Sequence, residues 1–279
     1  MIPLGKFSTL TAKRQQPQGI YLEDESGDEV LLPNKYIPKG FSLEDTIPVF
    51  VYTDSEDRII ATTLTPKIQL HEFACLRVTA VTNFGAFLDW GLEKDLFVPF
   101  KEQKSKMREG KEYIVFLYND EESDRLVASA KIHKFLSNEL LRVEEGEKVD
   151  LLVGEATDLG YNVIINNRHK GLVFHNEIFQ PIELGDRIVG YIKNIREDNK
   201  IDVALQPQGV SNIEPSAQRI LDYLKMNKGS MNLTDKSKPG EIMAKLEMSK
   251  KSFKKALGSL YKKKLVRLEK NGTFLIGDL

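Results

Sequence analysis

Up to about residue 205, apolar residues recur in short runs of four to seven, each bounded by Gly, Asp, Asn or Pro. Runs of this length that are rich in Val, Ile, Leu, Phe and Tyr are typical of short strands. In the stretch 81–91, Ala86, Leu88 and Trp90 alternate with Phe87 and Asp89. This alternation predicts that the first three side chains point inward and the other two outward. The pattern as a whole predicts a mainly β protein.

The strand-like runs fall into three repeats with equivalent landmarks. Each repeat contains an anchor glycine with a Pro or Phe fourteen residues later, in the pairs Gly19 and Pro33, Gly85 and Pro99, and Gly160 and Phe174. About five strands in each repeat predict three tandem five-stranded barrels of the small Greek-key type. We assign these barrels to residues 1–66, 67–140 and 141–210. The polar segments "YNDEESDR" and "IREDNK" are predicted hairpin turns.

The second repeat contains an unusual pair of aromatic residues, Phe84 and Phe87, on either side of Gly85. Residues three apart on a regular strand point to opposite faces, so both rings face outward only if the chain bulges at Gly85. Two outward rings would stack an unpaired base, an interaction of about 1–3 kcal/mol. The alternative is that both rings belong to the core. Nearby cations are candidates for phosphate contacts, or for a solvated loop: Lys94, Lys104, Lys106 and Arg125.

These residues make the second repeat similar to an S1 RNA-binding domain, one of the OB-fold barrels. The resemblance implies base stacking by Phe84 and Phe87 and a phosphate contact by Arg125, while Pro99 replaces a His of the family and removes that contact. Glu121 stands where the family has Asp. In the third repeat the matching positions are Leu159, Asn162, Phe174 and Lys200, and in the first they are Gln18, Tyr21, Pro33, Asp54 and Arg58. We take Phe174 and Lys200 as further candidate contacts.

The spacing of apolar residues changes in the last segment, 214–279. Ala217, Ile220, Leu221 and Leu224 recur at helical spacing, a short helix "EIMAKLE" follows, and Ser249 is a plausible N-cap of a third helix. That helix has one apolar face containing Phe253 and an opposite face of lysines. Two strand-like runs around Asn-Gly predict a hairpin. Three helices and a hairpin resemble a winged helix domain, in which the third helix is the usual recognition helix.

The charge of the chain is divided unevenly. Residues 214–279 contain 15 Lys and Arg against 7 Asp and Glu, whereas residues 1–213 contain 25 against 34. This division suggests that the last segment meets a polyanion. The face lacks Asn, Gln and Arg for base reading, so we expect phosphate affinity with little base specificity. The alternative is a lysine-rich surface without a ligand, or one that binds protein. The candidate contacts are Lys250, Lys251, Lys254, Lys255, Lys262, Lys263, Arg267 and Lys270.

Catalytic and metal-binding patterns are absent from the sequence. Cys75 is the single cysteine, which excludes an internal disulfide, and His71, His133, His169 and His175 have no metal-ligand spacing. We therefore expect no enzyme activity, metal or cofactor. No apolar run is long enough to span a bilayer, and the first residues lack a signal-peptide pattern. The sequence predicts a cytoplasmic protein with no membrane partner.

Three S1-like barrels followed by a winged helix domain resemble, across essentially the full chain, the CvfB/YitL family of bacterial RNA-binding regulators. The resemblance implies post-transcriptional regulation, linked to virulence in some members. Single-stranded RNA is the expected partner. Two alternatives remain: a transcription regulator that binds duplex DNA through its winged helix, and a protein-binding adaptor of the ribosome or an RNase.

Overall fold

A computed structural model describes residues 2–207 and 215–276 of the chain. Within the first of these ranges, three five-stranded units follow one another, as the repeats predict. The first is a closed barrel with the strand order β1-β2-β3-β5-β4. Its strands are β1 (Phe7–Gln16), β2 (Gly19–Glu23), β3 (Glu29–Pro33), β4 (Thr46–Thr53) and β5 (Ile59–Thr62).

The second unit has the same strand connectivity as the first, but its sheet is open between the first and last strands of the sheet order. Its strands are β6 (Phe73–Val81), β7 (Gly85–Asp89), β8 (Leu96–Pro99), β9 (Glu112–Asp120) and β10 (Arg125–Ser129), in the order β10-β9-β6-β7-β8. Strands β8 and β10 lie side by side, and just beyond them the Ala130 amide donates to the Glu102 carbonyl at 2.9 Å. Along the described strands no ladder joins these two edges. The unit is therefore an incompletely closed barrel, whereas we expected three closed ones.

The third unit is again a closed barrel. Its strands are β11 (Lys148–Ala156), β12 (Gly160–Ile165), β13 (His169–Phe174), β14 (Arg187–Ile195) and β15 (Ile201–Ala204), in the order β11-β12-β13-β15-β14. The parallel pairing of β13 with β15 repeats that of β3 with β5 in the first barrel. The predicted turns are confirmed, since "YNDEESDR" connects β9 to β10 and "IREDNK" connects β14 to β15.

The anchor residues of the three repeats lie directly opposite each other across a strand pair. The paired residues are Gly19 with Pro33, Gly85 with Pro99, and Gly160 with Phe174. A Cβ on any of the three glycines would come within 2.0–2.3 Å of a carbonyl oxygen on the partner strand. Such a separation is far below van der Waals contact, so only glycine permits this close approach of the backbones.

The predicted bulge at Gly85 is wrong. The register of the β6–β7 pair shifts between Val78 and Ala80, on the neighbouring strand. Phe84 lies in the turn before β7, which begins at Gly85. Because Phe84 precedes the strand, its side chain does not follow the alternation of inward and outward positions along β7. The bulge in this strand pair is on β6. The inward positions of Ala86, Leu88 and Trp90 are confirmed, since all three are at most 2% exposed.

The barrels share apolar cores at their joints. Phe50 and Tyr52 of the first barrel pack edge-on against Trp90 of the second, with ring centroids 5.8 and 6.1 Å apart. At the next joint, buried Phe73 and Phe116 of the second barrel pack in one cluster with residues of the third, Leu152 and Ile164. Burial of apolar surface across both joints makes the three barrels one continuous body.

The last described segment is a winged helix domain, as the sequence predicts. It consists of α1 (Pro215–Met226), β16 (Ser230–Met231), α2 (Pro239–Leu246), α3 (Lys250–Lys262), β17 (Val266–Glu269) and β18 (Gly272–Leu275), with the sheet order β16-β18-β17. Ser249 caps α3, since its hydroxyl oxygen accepts from the Ser252 amide at 3.1 Å. The hairpin is confirmed, but its loop is Lys270–Asn271, because Gly272 already pairs with Glu269.

Candidate nucleic-acid interface

Four phenylalanines lie together on one side of the second barrel. Phe84 is 79% exposed, and Phe87 points outward from β7 beside Phe97 on β8, with ring centroids 5.2 Å apart. Phe100 follows directly after β8, is 43% exposed, and donates its amide to the Phe84 carbonyl at 3.4 Å. We call Phe84, Phe87, Phe97 and Phe100 the aromatic platform. Exposed aromatic rings of this kind offer flat faces on which unpaired bases can stack.

Sequence reasoning found two members of the platform and missed the other two. Leu96 and Val98 are buried, and Phe97 between them therefore faces outward. The same alternation rule that assigned Phe87 would have assigned Phe97. Phe100 had no such signal, since it stands in a short 3-10 turn after the strand.

The equivalent face of the first barrel is covered by its own side chains. The guanidinium of Arg14 lies 3.7 Å from the centre of the Tyr21 ring. Two hydrogen bonds to Glu29, at 3.0 and 2.8 Å, hold Arg14 there. A base would have to displace this cation–π contact to reach the ring of Tyr21.

The third barrel has a mixed face at the same position. Leu159 is 62% exposed and Asn162 is exposed, while the half-buried ring of Phe174 lies 5.8 Å from the guanidinium of Arg196. Arg196 is itself paired with Asp202. Among the three faces, the platform of the second barrel is the most open aromatic surface in the described part of the chain.

Two predicted phosphate contacts, Lys94 and Arg125, are engaged by the first barrel. The ammonium of Lys94 donates to Asp57 Oδ1 at 3.1 Å and to the Asp54 carbonyl at 2.6 Å, and Arg125 donates to Asp57 Oδ2. The bond and charge of Lys94, followed by the charge of Arg125, lower the pKa of Asp57 below its usual value. We call Asp57, Lys94 and Arg125 the inter-barrel charge cluster.

Other predicted basic residues of the barrels also stand in ion pairs. Lys104 reaches across to Glu155 of the third barrel at 2.7 Å, and Lys200 pairs with Asp198 at 2.6 Å. Arg58, the equivalent of Arg125 in the first barrel, pairs with Asp54 at 2.7 Å. Lys106 is exposed and has no ion pair with the residues that the structure describes. All of these pairs are exposed enough for a phosphate to compete with them.

The basic residues of the winged helix lie around the solvent side of α3. Phe253, Ala256, Leu257 and Leu260 are buried, which turns Lys251, Lys254 and Lys255 outward. We call these three residues the lysine face. Lys250 and Lys263 are half-buried, and Lys262 and Lys270 are exposed. Arg267 pairs with Glu269 at 3.0 Å and lies 5.6 Å from the Phe274 ring, so the wing arginine is partly engaged.

The described residues, 2–207 and 215–276, contain no group of three or more His, Cys, Asp or Glu placed to hold a metal ion. Burial raises the pKa of the Cys75 thiol to about 11, which keeps it protonated and poorly nucleophilic. Neither described range contains a helix long and apolar enough to cross a membrane.

Family models match two of the barrels and the winged helix domain. The S1 domain model matches residues 4–64 and 72–131, and the CvfB-like winged helix domain model matches residues 218–275. The chain is therefore a multidomain protein of S1 barrels joined to a winged helix, and this domain set indicates nucleic acid as its class of partner.

Two curated relatives are similar to this chain over most of their length. YitL of Bacillus subtilis is 29% identical over 97% of this chain and 93% of its own, and Conserved virulence factor B of Staphylococcus epidermidis is 25% identical over 95% and 92%. The chain is therefore similar to the CvfB/YitL proteins over most of its length. A crystal structure of a multidomain protein with nucleic acid binding domains from Streptococcus pneumoniae is 26% identical, covers 98% of each chain and has a TM-score of 0.46.

Proposed function

We propose that this protein is a non-enzymatic, cytoplasmic single-stranded RNA-binding protein that regulates gene expression after transcription. The observation that supports this function most directly is the aromatic platform. Phe84 is 79% exposed beside three further phenylalanines. Exposed rings are costly in water unless they serve a contact, and unpaired bases offer faces to such rings whereas a duplex hides them.

The lysine face would supply the electrostatic part of the affinity. Lysine binds phosphate as a point charge and carries little sequence information. Stacking on the platform is equally tolerant of base identity. The proposed binding is therefore strong at low salt, weaker at high salt and only modestly dependent on sequence.

A binding panel tests this function. Labelled single-stranded RNA, single-stranded DNA and duplex DNA are titrated with the full chain at two salt concentrations. We expect single-stranded RNA to bind more tightly than the duplex, with an affinity that falls as salt rises. Tighter binding of duplex DNA would favour the transcription-regulator alternative, and negligible affinity for all three at physiological salt would favour the protein adaptor.

A further inference from the structure

A cleft lies between the second and third barrels, outside the aromatic platform. Its volume is about 380 Å³, within the range of small-ligand sites, which commonly form at domain interfaces. Its walls are mainly apolar and include Ile114, Ile132 and Leu136 of the second barrel and Ile164 of the third. A cleft of this size and character suits a flat, largely apolar group.

Polar side chains line this cleft from both barrels, among them Lys104, Glu112 and His133 of the second and Glu155, Asn162 and Lys170 of the third. Asn162 and Lys170 line it on neighbouring strands of the third barrel, and both are exposed. Within the described residues neither the Asn162 amide group nor the Lys170 ammonium has a hydrogen-bond partner. Gly154 lines the cleft beside Asn162 and contributes no side chain to fill it. An amide offers both a donor and an acceptor, as the edge of a nucleobase requires, and an ammonium suits a phosphate.

The position of Asn162 relates this cleft to the base-stacking face of the second barrel. Asn162 follows Gly160 by two residues, as Phe87 follows Gly85, and both glycines pair with the residue fourteen positions later. The equivalent face of the third barrel therefore opens into the cleft. Lys104 lines the cleft and follows Phe100 of the platform by four residues. The Cα atoms of these two residues are therefore at most about 14 Å apart. A strand leaving the platform would pass the cleft.

From these placements we propose that the cleft receives one unstacked nucleobase of the RNA strand, and this inference rests on the proposed function. The apolar walls contact the faces of the base, Asn162 hydrogen-bonds its polar edge, and Lys170 contacts an adjacent phosphate. Single-stranded RNA is commonly recognised in this way, by bases that are splayed out of the stack and bound on face and edge.

The test uses the full chain and a short oligouridine RNA that carries one central 2-aminopurine, whose fluorescence reports its stacking. We compare the wild type with Asn162→Leu and Lys170→Gln. The matched controls are Gln180→Leu and Lys148→Gln, which make the same chemical changes at exposed residues outside the cleft. Circular dichroism and thermal melting confirm that each variant folds.

We expect the wild type to change the 2-aminopurine emission and each cleft variant to diminish that change. Each cleft variant should also lower RNA affinity about three- to tenfold, the effect of one hydrogen bond, while the controls leave both readouts unchanged. RNA binding with unaltered affinity and emission in both cleft variants would overturn the cleft assignment and leave the proposed function standing.

Two further results would also count against the inference. A wild type that does not bind RNA would refute the proposed function and the inference together. Saturable binding of free adenosine monophosphate that depends on Asn162, with RNA affinity unaffected by the substitution, would assign the cleft to a free nucleotide and would overturn the proposed occupant.

Discussion

The guanidinium of Arg125, in the second barrel, donates a hydrogen bond to the carboxylate of Asp57, in the first. The resemblance to S1 domains predicts that Arg125 contacts a phosphate, whereas in the structure Arg125 binds a carboxylate of the same chain. Lys94 is held by the same carboxylate at 3.1 Å. The first barrel therefore neutralises two cations that lie on the second barrel, the one that carries the platform.

Releasing these cations should strengthen RNA binding. We expect Asp57→Asn to raise the affinity for single-stranded RNA. The slope of log K against the logarithm of the salt concentration should also become more negative by about 0.7 for each cation that contacts a phosphate. Glu56→Gln is the matched control, because it removes the same charge from the same turn but pairs with Arg58. Affinity titrations over a salt series measure both effects. Equal changes in the two variants would show that only the net charge matters.

The same carboxylate should make a pH-dependent contribution to stability. Lys94 and Arg125 lower the pKa of Asp57, so its ion pairs stabilise the folded chain above the ordinary Asp pKa of about 3.9, and this stabilisation is lost as pH falls through the lowered value. The melting temperatures of the wild type and Asp57→Asn should therefore differ at neutral pH and converge in acid. A difference that persists with Asp57 protonated would assign the effect to packing.

Removing the most exposed ring should weaken binding without unfolding the protein. We expect Phe84→Ala to lower RNA affinity by about 1–3 kcal/mol, the value of one stacked base, and to leave the melting temperature nearly unchanged because the ring is 79% exposed. Phe179→Ala is the control, since Phe179 is 56% exposed on the third barrel, away from the platform. A large fall in the melting temperature of Phe84→Ala would instead indicate a structural ring.

The lysine face should govern the electrostatic share of the affinity. Charge reversal by Lys251→Glu with Lys254→Glu should weaken RNA binding and flatten its salt dependence, because fewer counterions are released. Lys225→Glu with Lys228→Glu makes the same charge change elsewhere on the domain and should have a smaller effect. Titration of both double variants at several salt concentrations tests this. Equal effects would exclude a localised site on α3.

A methyl group at an anchor glycine should be poorly tolerated. A Cβ at Gly85 would lie 2.3 Å from the Val98 carbonyl oxygen, so we expect Gly85→Ala to destabilise the second barrel by about 1–3 kcal/mol. Gly258→Ala is the contrasting substitution, since Gly258 lies on α3 and its new Cβ would have no atom within 4 Å apart from the adjacent backbone of the same helix. It should be stabilising by about 0.5–1 kcal/mol. Thermal melting of both variants measures the difference.

The repeats could be predicted because their landmarks are local in sequence. The fourteen-residue spacing from Gly85 to Pro99 spans two adjacent strands and their loop, and these two residues pair directly. The apolar face of α3 was equally readable, because helical spacing places Phe253 and Leu257 on the same side. Packing within one element requires apolar residues at regular spacing, and this spacing can be recognised in the sequence.

The partners of the charged residues could not be predicted in this way. Asp57 and Arg125 are 68 residues apart and belong to different repeats, and exposed charges in turns follow no period. The cleft near Asn162 was also unpredicted, since its walls come from two barrels whose relative placement depends on the buried cluster around Phe73. Such features follow from how the repeats dock, and a pattern within one repeat does not encode that.

Trp90 is the single tryptophan of the chain, and its indole packs between the first two barrels against Phe50 and Tyr52. The intrinsic emission of the protein, excited at the red edge of its absorption, therefore arises from this one joint. During unfolding, a red shift of the Trp90 emission would indicate that water reaches the indole between those barrels before the strands unfold. Trp90 is thus an intrinsic fluorescence probe of the separation of the first two barrels, and no added label is needed.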